Sequence, residues 1–157
     1  MEIFQNYPLW TALIAIALAQ VIKIPLAFFA TRKLNMSLLT STGGMPSSHS
    51  AAVTGVSTAI AIEHGLDSSL FAISAVFAVV VMFDATGVRR HAGYHATVLN
   101  QLVLDFNRLV EEVKTWPKKE NEQKLKELLG HQPIEVFFGA LLGIILAFVL
   151  YPLLNAI

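Results

Sequence analysis

The stretch Leu9–Ala30, LWTALIAIALAQVIKIPLAFFA, decides what kind of protein this is. It is almost continuously apolar and long enough to cross a bilayer, which takes about 20 residues. Gln20, Lys23 and Pro25 interrupt it. Near the other end, Ile134–Leu154 (IEVFFGALLGIILAFVLYPLL) is a second such stretch, with Glu135 at its start. The whole chain agrees. Of its 157 residues 55% are hydrophobic and 14% charged, against about 45–50% and about 25% in a soluble domain. The excess apolar side chains must face something other than water.

Two weaker spans lie between these, Ser50–Ile62 and Ser69–Phe83, joined by the turn EHGLDS. They are short but rich in Ala, Ser, Gly and Thr, which let helices approach closely in lipid. The expected fold is all-α: one membrane-embedded domain over residues 1–157, a bundle of about four transmembrane spans. One or two cytoplasmic or interfacial helices should accompany them. The segment MEIFQNYP lacks the positive start of a signal peptide, and no small-residue cleavage site follows, so the first span reads as an uncleaved helix.

Loop charges set the expected orientation. Arg32 and Lys33 follow span one, and Arg89, Arg90, Arg108 and the lysines from Lys114 to Lys126 lie between spans three and four. The N-terminus and the EHGLDS turn carry no Lys or Arg. The positive-inside rule then puts both basic loops in the cytoplasm and both termini outside. The long loop Asp84–Pro133 begins with a helical pattern of apolar residues, from Val98 to Val113, that should lie along the bundle or the membrane surface. A charged, helix-prone insert at about 105–130 follows, broken at Pro117, with Gly130 as a C-cap. The spacing Gly139–Gly143 favours close helix contact, within the chain or with a second copy, so a homo-oligomer is possible.

Net charge is +0, which excludes a field favouring nucleic acid. There is no cysteine, which excludes a disulfide scaffold, a Cys-ligated zinc site and a thiol nucleophile. His91 and His95 stand four apart but have no third ligand at a diagnostic spacing, so no metal is expected.

The expected topology gathers the unusual polar residues at one membrane face. Lys23 is costly inside a span unless it snorkels or pairs, and so is a functional candidate. GGMPSSHS, Gly43–Ser50, has the grammar of a helix start: Pro46 for the first turn, Ser47 or Ser48 as a cap, and Gly43 and Gly44 for backbone approach to a ligand. A helix start binds anions, so this stretch reads either as a phosphate cradle with His49 on its rim or as a capped helix with an interfacial histidine. In DATGVRR, Arg89 and Arg90 can fork onto phosphate oxygens or simply anchor the loop, and Asp84 can orient one of them. His131 and Glu135 are four apart. A carboxylate on one ring nitrogen fixes the tautomer and makes the other a better nucleophile. Pro133 restrains Gln132 away from helix, so His131 can precede the helix rather than lie on it.

Together GGMPSSHSA, DATGVRRHAG and LGHQPIEVFFG resemble the divergent branch of the type 2 phosphatidic acid phosphatase superfamily, which also includes the vanadium-dependent haloperoxidases. The resemblance extends from span one to span four. It implies a metal-independent, cofactor-free phosphatase that works on a membrane lipid phosphate through a phosphohistidine, in the cytoplasmic membrane of a prokaryote. By that resemblance His131 is the nucleophile, Glu135 stands where an aspartate holds it, and His49 is the acid that protonates the leaving alcohol. Ser47 and Ser48 would contact phosphate, as would Arg90 or Arg89, and Lys23 and Arg32 best match the first motif. Three departures stand out. Ser48 replaces a usual glycine, no proline follows Arg32, and Arg90 and His131 are 41 positions apart instead of a few. Two other readings use the same residues. A non-catalytic lipid-phosphate binder or carrier would need the cations but not His131, and vanadate-dependent halide oxidation would require vanadate.

Overall fold

The computed structural model describes residues 2–32, 36, 43–113, 125 and 130–154. After a 3-10 turn at Glu2–Gln5 come α1 (Tyr7–Thr31), α2 (Ser48–His64), α3 (Ser69–Thr86), α4 (Val88–Val113) and α5 (Pro133–Leu154), with no strand among the described residues. The helix starts follow from their capping residues. Asn6 Oδ1 accepts the Leu9 N–H (2.9 Å), Ser47 Oγ that of Ser50 (3.3 Å) and Ser68 Oγ that of Phe71 (3.2 Å). Pro25 stays inside α1, and Arg32 closes that helix in the left-handed conformation with φ 57°. Pro46 lies outside α2, one residue before its N-cap, and not in the expected first turn.

Three stretches are long and apolar enough to cross a membrane: Tyr7–Phe29, Ser69–Leu109 and Pro133–Leu154. Helix α2, one of the four expected spans, is not among them. Its position explains its composition. It packs against α1, α3 and α5 together, burying Ser48, Ser50, Ala51, Val53, Thr54, Gly55, Ser57 and Ala59. A helix enclosed by three others needs small side chains more than apolar bulk. The outer helices turn Val21, Phe29, Val76, Phe77, Phe83, Phe137 and Phe148 outwards, all exposed. So large an apolar surface suits hydrocarbon, not water.

Glycines set the closest contact in the bundle. A Cβ on Gly139 would lie 2.3 Å from the Ser47 carbonyl oxygen, and one on Gly143 would lie 2.2 Å from that of Ala51. The Gly139–Gly143 pair therefore seats α5 on α2 of the same chain. Thr54 Oγ1, bonded to the Ser50 carbonyl (2.8 Å), also donates to the carbonyl of Ala140 on α5 (3.0 Å), and Ser74 Oγ on α3 donates to Ser57 Oγ (3.2 Å). Interhelical bonds of this kind average about 0.6 kcal/mol in membrane proteins.

The two ends of the bundle differ in chemistry. At one end Tyr7, Ala59 and Ala147 form an apolar cluster, and the Tyr7 hydroxyl donates to the Ala147 carbonyl. At the other, the starts of α2, α4 and α5 meet the end of α3. The insert with its Pro117 break lies mostly outside the described residues, as does Lys33.

Candidate active site

The segment Gly130–Glu135 is fastened on three sides by main-chain contacts. The His131 N–H donates to the carbonyl of Ala85 on α3 (2.9 Å), and the Ser47 N–H at the start of α2 donates to the Glu135 carbonyl (2.9 Å). Gly130, with φ +95°, presses on the start of α4, where a Cβ would lie 2.4 Å from the Arg90 nitrogen. Its observed role is thus close approach to another helix, which turn chemistry alone does not reveal.

Helix α5 begins at Pro133, so His131 precedes it, yet Nδ1 of His131 still lies 2.9 Å from Glu135 Oε2. The same oxygen accepts the Gln132 N–H at 3.1 Å. A glutamate at the third helical position reaching back to the cap amide is half of a capping box. Glu135 therefore caps α5 and orients His131 at once. With Nδ1–H donated to Glu135, the lone pair is on Nε2. That atom is buried and has no hydrogen-bond partner among the described residues, and His131 is only 2% exposed. An unpaired buried polar atom is costly, so its position beside a cavity makes Nε2 a candidate ligand-contacting atom.

The cavity holds about 220 Å³ and is lined by His49, Val80, Val81, Asp84, Ala85, Arg89, Gly130 and His131. The His49 and His131 rings face each other 6.1 Å apart at an angle of 62°. His49 projects from the first turn of α2. Of the first-turn amides there, Ser47 donates to Glu135 and Ser50 to the Ser47 hydroxyl. Those of Ser48 and His49 have no partner among the described residues and remain as anion donors.

The structure separates the two adjacent arginines. Arg89 lines the cavity and pairs through Nε with Asp84 Oδ2, which leaves its terminal nitrogens as donors. Arg90 turns away: its Nε donates to the Tyr94 hydroxyl (3.2 Å) and its guanidinium stacks 5.6 Å above that ring. Arg32 is exposed at the end of α1 and does not line the cavity. Lys23 is 2% exposed, and its stem lies 3.8 Å from where a Cβ on Gly44 would stand (φ +91°). It does not line the cavity. Ser47, Ser48 and Gly43 are buried behind the wall. His91 and His95 are exposed on α4, and no group of three His, Asp or Glu side chains placed to hold a metal ion occurs among the described residues. Sequence reasoning missed the apolar wall of Val80, Val81 and Ala85, because those residues look like any others in a span.

The profile of a family described as "Divergent PAP2 family" matches residues 4–146. An uncharacterized membrane protein of Bacillus subtilis (strain 168), YuiD, is 68% identical over 153 residues, covering 96% of this chain and 97% of its own length. No solved structure matches.

Proposed function

The chain belongs to the divergent PAP2 family, and from that premise we propose that it is a metal-independent phosphatase of a membrane lipid phosphate, acting through a phosphohistidine. One observation carries the reading: His131 is held at Nδ1 by Glu135 while its buried Nε2 stands unpaired at a cavity shared with His49 and Arg89. In the first step Nε2 attacks phosphorus and the bond to the leaving oxygen breaks. His49, protonated, gives that oxygen its proton. Arg89 on the cavity wall offsets charge on the phosphoryl oxygens, which is the main demand of phosphoryl transfer, and Lys23 and the start of α2 add positive potential from outside the lining. Water then attacks the phosphohistidine, with neutral His49 taking its proton, and phosphate leaves.

A lipid substrate suits the cavity's size and wall. At about 220 Å³ it is smaller than the roughly 300–1,000 Å³ pockets that enclose drug-sized ligands, so it takes a phosphate and leaves the rest of the molecule outside. Val80, one of its wall residues, is also exposed on the lipid-facing side of α3. In this reading α2 is the fourth crossing, a core helix about 25 Å long. Both termini lie outside, and the site opens on the cytoplasmic face of a prokaryotic membrane, where Arg89, Arg90 and Arg108 obey the positive-inside rule.

The test is phosphate release by detergent-purified protein from phosphatidic acid, phosphatidylglycerol phosphate and polyprenyl pyrophosphate with metals chelated, wild type beside His131→Ala. Release that disappears in the variant is expected, and one substrate should dominate. Binding of lipid phosphate by both proteins with release by neither would refute catalysis in favour of a carrier.

A further inference from the structure

Helix α4 leaves the bundle after its first turns. Among the positions whose burial is described, Gly93 and Ala96 are the last buried, and no residue from 97 to 109 is buried. Yet this free length is strongly amphipathic. Val98, Leu99, Leu102, Phe106 and Leu109 are all exposed and fall within an arc of about 100° on the helix. The rest of the helix surface carries polar contacts beside an exposed Leu104: Gln101 bonds Asp105 (3.1 Å), Arg108 pairs with Asp105 (3.8 Å), and Asn100 bonds the main chain of Leu125 at both its side-chain nitrogen and oxygen. At Leu125, then, the chain's own insert meets α4 on its polar flank and not on the apolar stripe.

We propose that the apolar stripe of α4 lies flat in the membrane interface, its occupant a lipid surface. Continuity is the argument. Only Gly87 separates α3 from α4, and the residues on either side of that turn, Phe83 (75% exposed) and Val88 (68%), carry the lipid-facing surface of α3 onto α4. A helix with an apolar face and a charged face beds into the headgroup boundary to a depth of about 5–10 Å. Charge does not drive the contact. Arg89, Arg90 and Arg108 balance Asp105, Glu111 and Glu112 along α4, so the surface need not be anionic. Because Arg89 belongs to both α4 and the cavity wall, the embedded helix fixes the cavity at headgroup depth.

The absence of cysteine makes the test direct. Single cysteines at Leu99, Leu102, Phe106 and Leu109, with Gln101 and Arg108 as controls, are spin-labelled in the full chain. Each is reconstituted in phosphatidylcholine vesicles and probed for collision with oxygen and with a water-soluble nickel chelate. The stripe labels should meet oxygen and escape nickel, at one common depth that high salt does not change, while the controls meet nickel. Nickel access along the stripe would overturn the proposal. So would a graded depth, since Leu99 to Leu109 spans about 15 Å if the helix stands upright. Protection from both reagents with dipolar broadening between labels would overturn it by putting a second copy on the stripe. None of these readouts involves turnover, so they stand apart from the phosphatase assay.

Discussion

Gly139→Ala tests whether the site depends on the α2–α5 contact. The new methyl would lie 2.3 Å from the Ser47 carbonyl oxygen and 3.0 Å from Ser50 Cβ, where tight contacts are 3.0–3.4 Å. The obstruction is main chain, so the helices must part by about 1 Å. Overpacking of this kind costs about 1–3 kcal/mol, which lowers Tm by about 2–4 °C per kcal/mol at this chain length. The catalytic consequence is more specific. Ser47 is the N-cap of α2 and bonds the Glu135 carbonyl, so the displacement falls between His49 and the His131–Glu135 pair. A misplacement of about 1 Å costs on the order of 10²-fold in rate. Gly143→Ala makes the control. Its methyl is even closer to main chain, at 2.2 Å, but a turn further from the site. Thermal unfolding and phosphate release, measured on both variants, should show similar losses of stability with a larger loss of kcat at position 139. Full activity in Gly139→Ala, or equal loss of kcat in both, would refute the reasoning.

Arg89→Ala should lower kcat/KM by about 10²–10³-fold, as loss of a donor to developing charge does, and Arg90→Ala far less, because Arg90 is held by Tyr94; the reverse ranking would contradict the assignment. His49 must be protonated to act as the acid. The kcat/KM profile should therefore fall on its alkaline side; a profile flat through neutrality would exclude His49 as the acid. Glu135→Ala should cut kcat by at least about 10²-fold by loosening the His131 tautomer and should also lower Tm through loss of the α5 cap; unchanged kcat with lowered Tm would reduce Glu135 to a cap alone. Gly130→Ala meets the Arg89–Arg90 main chain and a positive φ, so both Tm and activity should drop, and a neutral effect would argue against the clamp.

How much the chain discloses of itself depends on whether a feature is local. Leu9–Ala30 and Ile134–Leu154 are readable because the solvent they need is written into each residue. The middle helices are harder. Helix α2 is small and polar because three neighbours enclose it, a property of the assembled bundle. The histidine–glutamate pair is legible because its spacing is short, although the contact arises from a capping glutamate reaching back and not from two side chains on one helical face. The choice between Arg89 and Arg90 is not legible. Adjacent residues on a helix point about 100° apart, so one faces the cavity and the other Tyr94, and only the placement of α4 decides which. Gly130 needs a neighbour some 40 positions away to explain it.

The separation of Arg89 from His131 is the clearest departure from the pattern that the motifs suggest, and the fold shows how the two still meet. The two residues line one cavity. Their alignment is set by the Gly130 contact with the Arg89–Arg90 main chain and by the bond from the His131 N–H to the Ala85 carbonyl. Both tie the far end of the insertion directly to its near end. Closing a longer flexible loop costs only about 0.6 kcal/mol per doubling of its length, comparable to one interhelical hydrogen bond in this bundle. A long intervening chain is therefore thermodynamically cheap, and part of it forms the amphipathic α4. What could not be spared is the glycine, because any Cβ at residue 130 would force apart the two ends that the insertion must bring together.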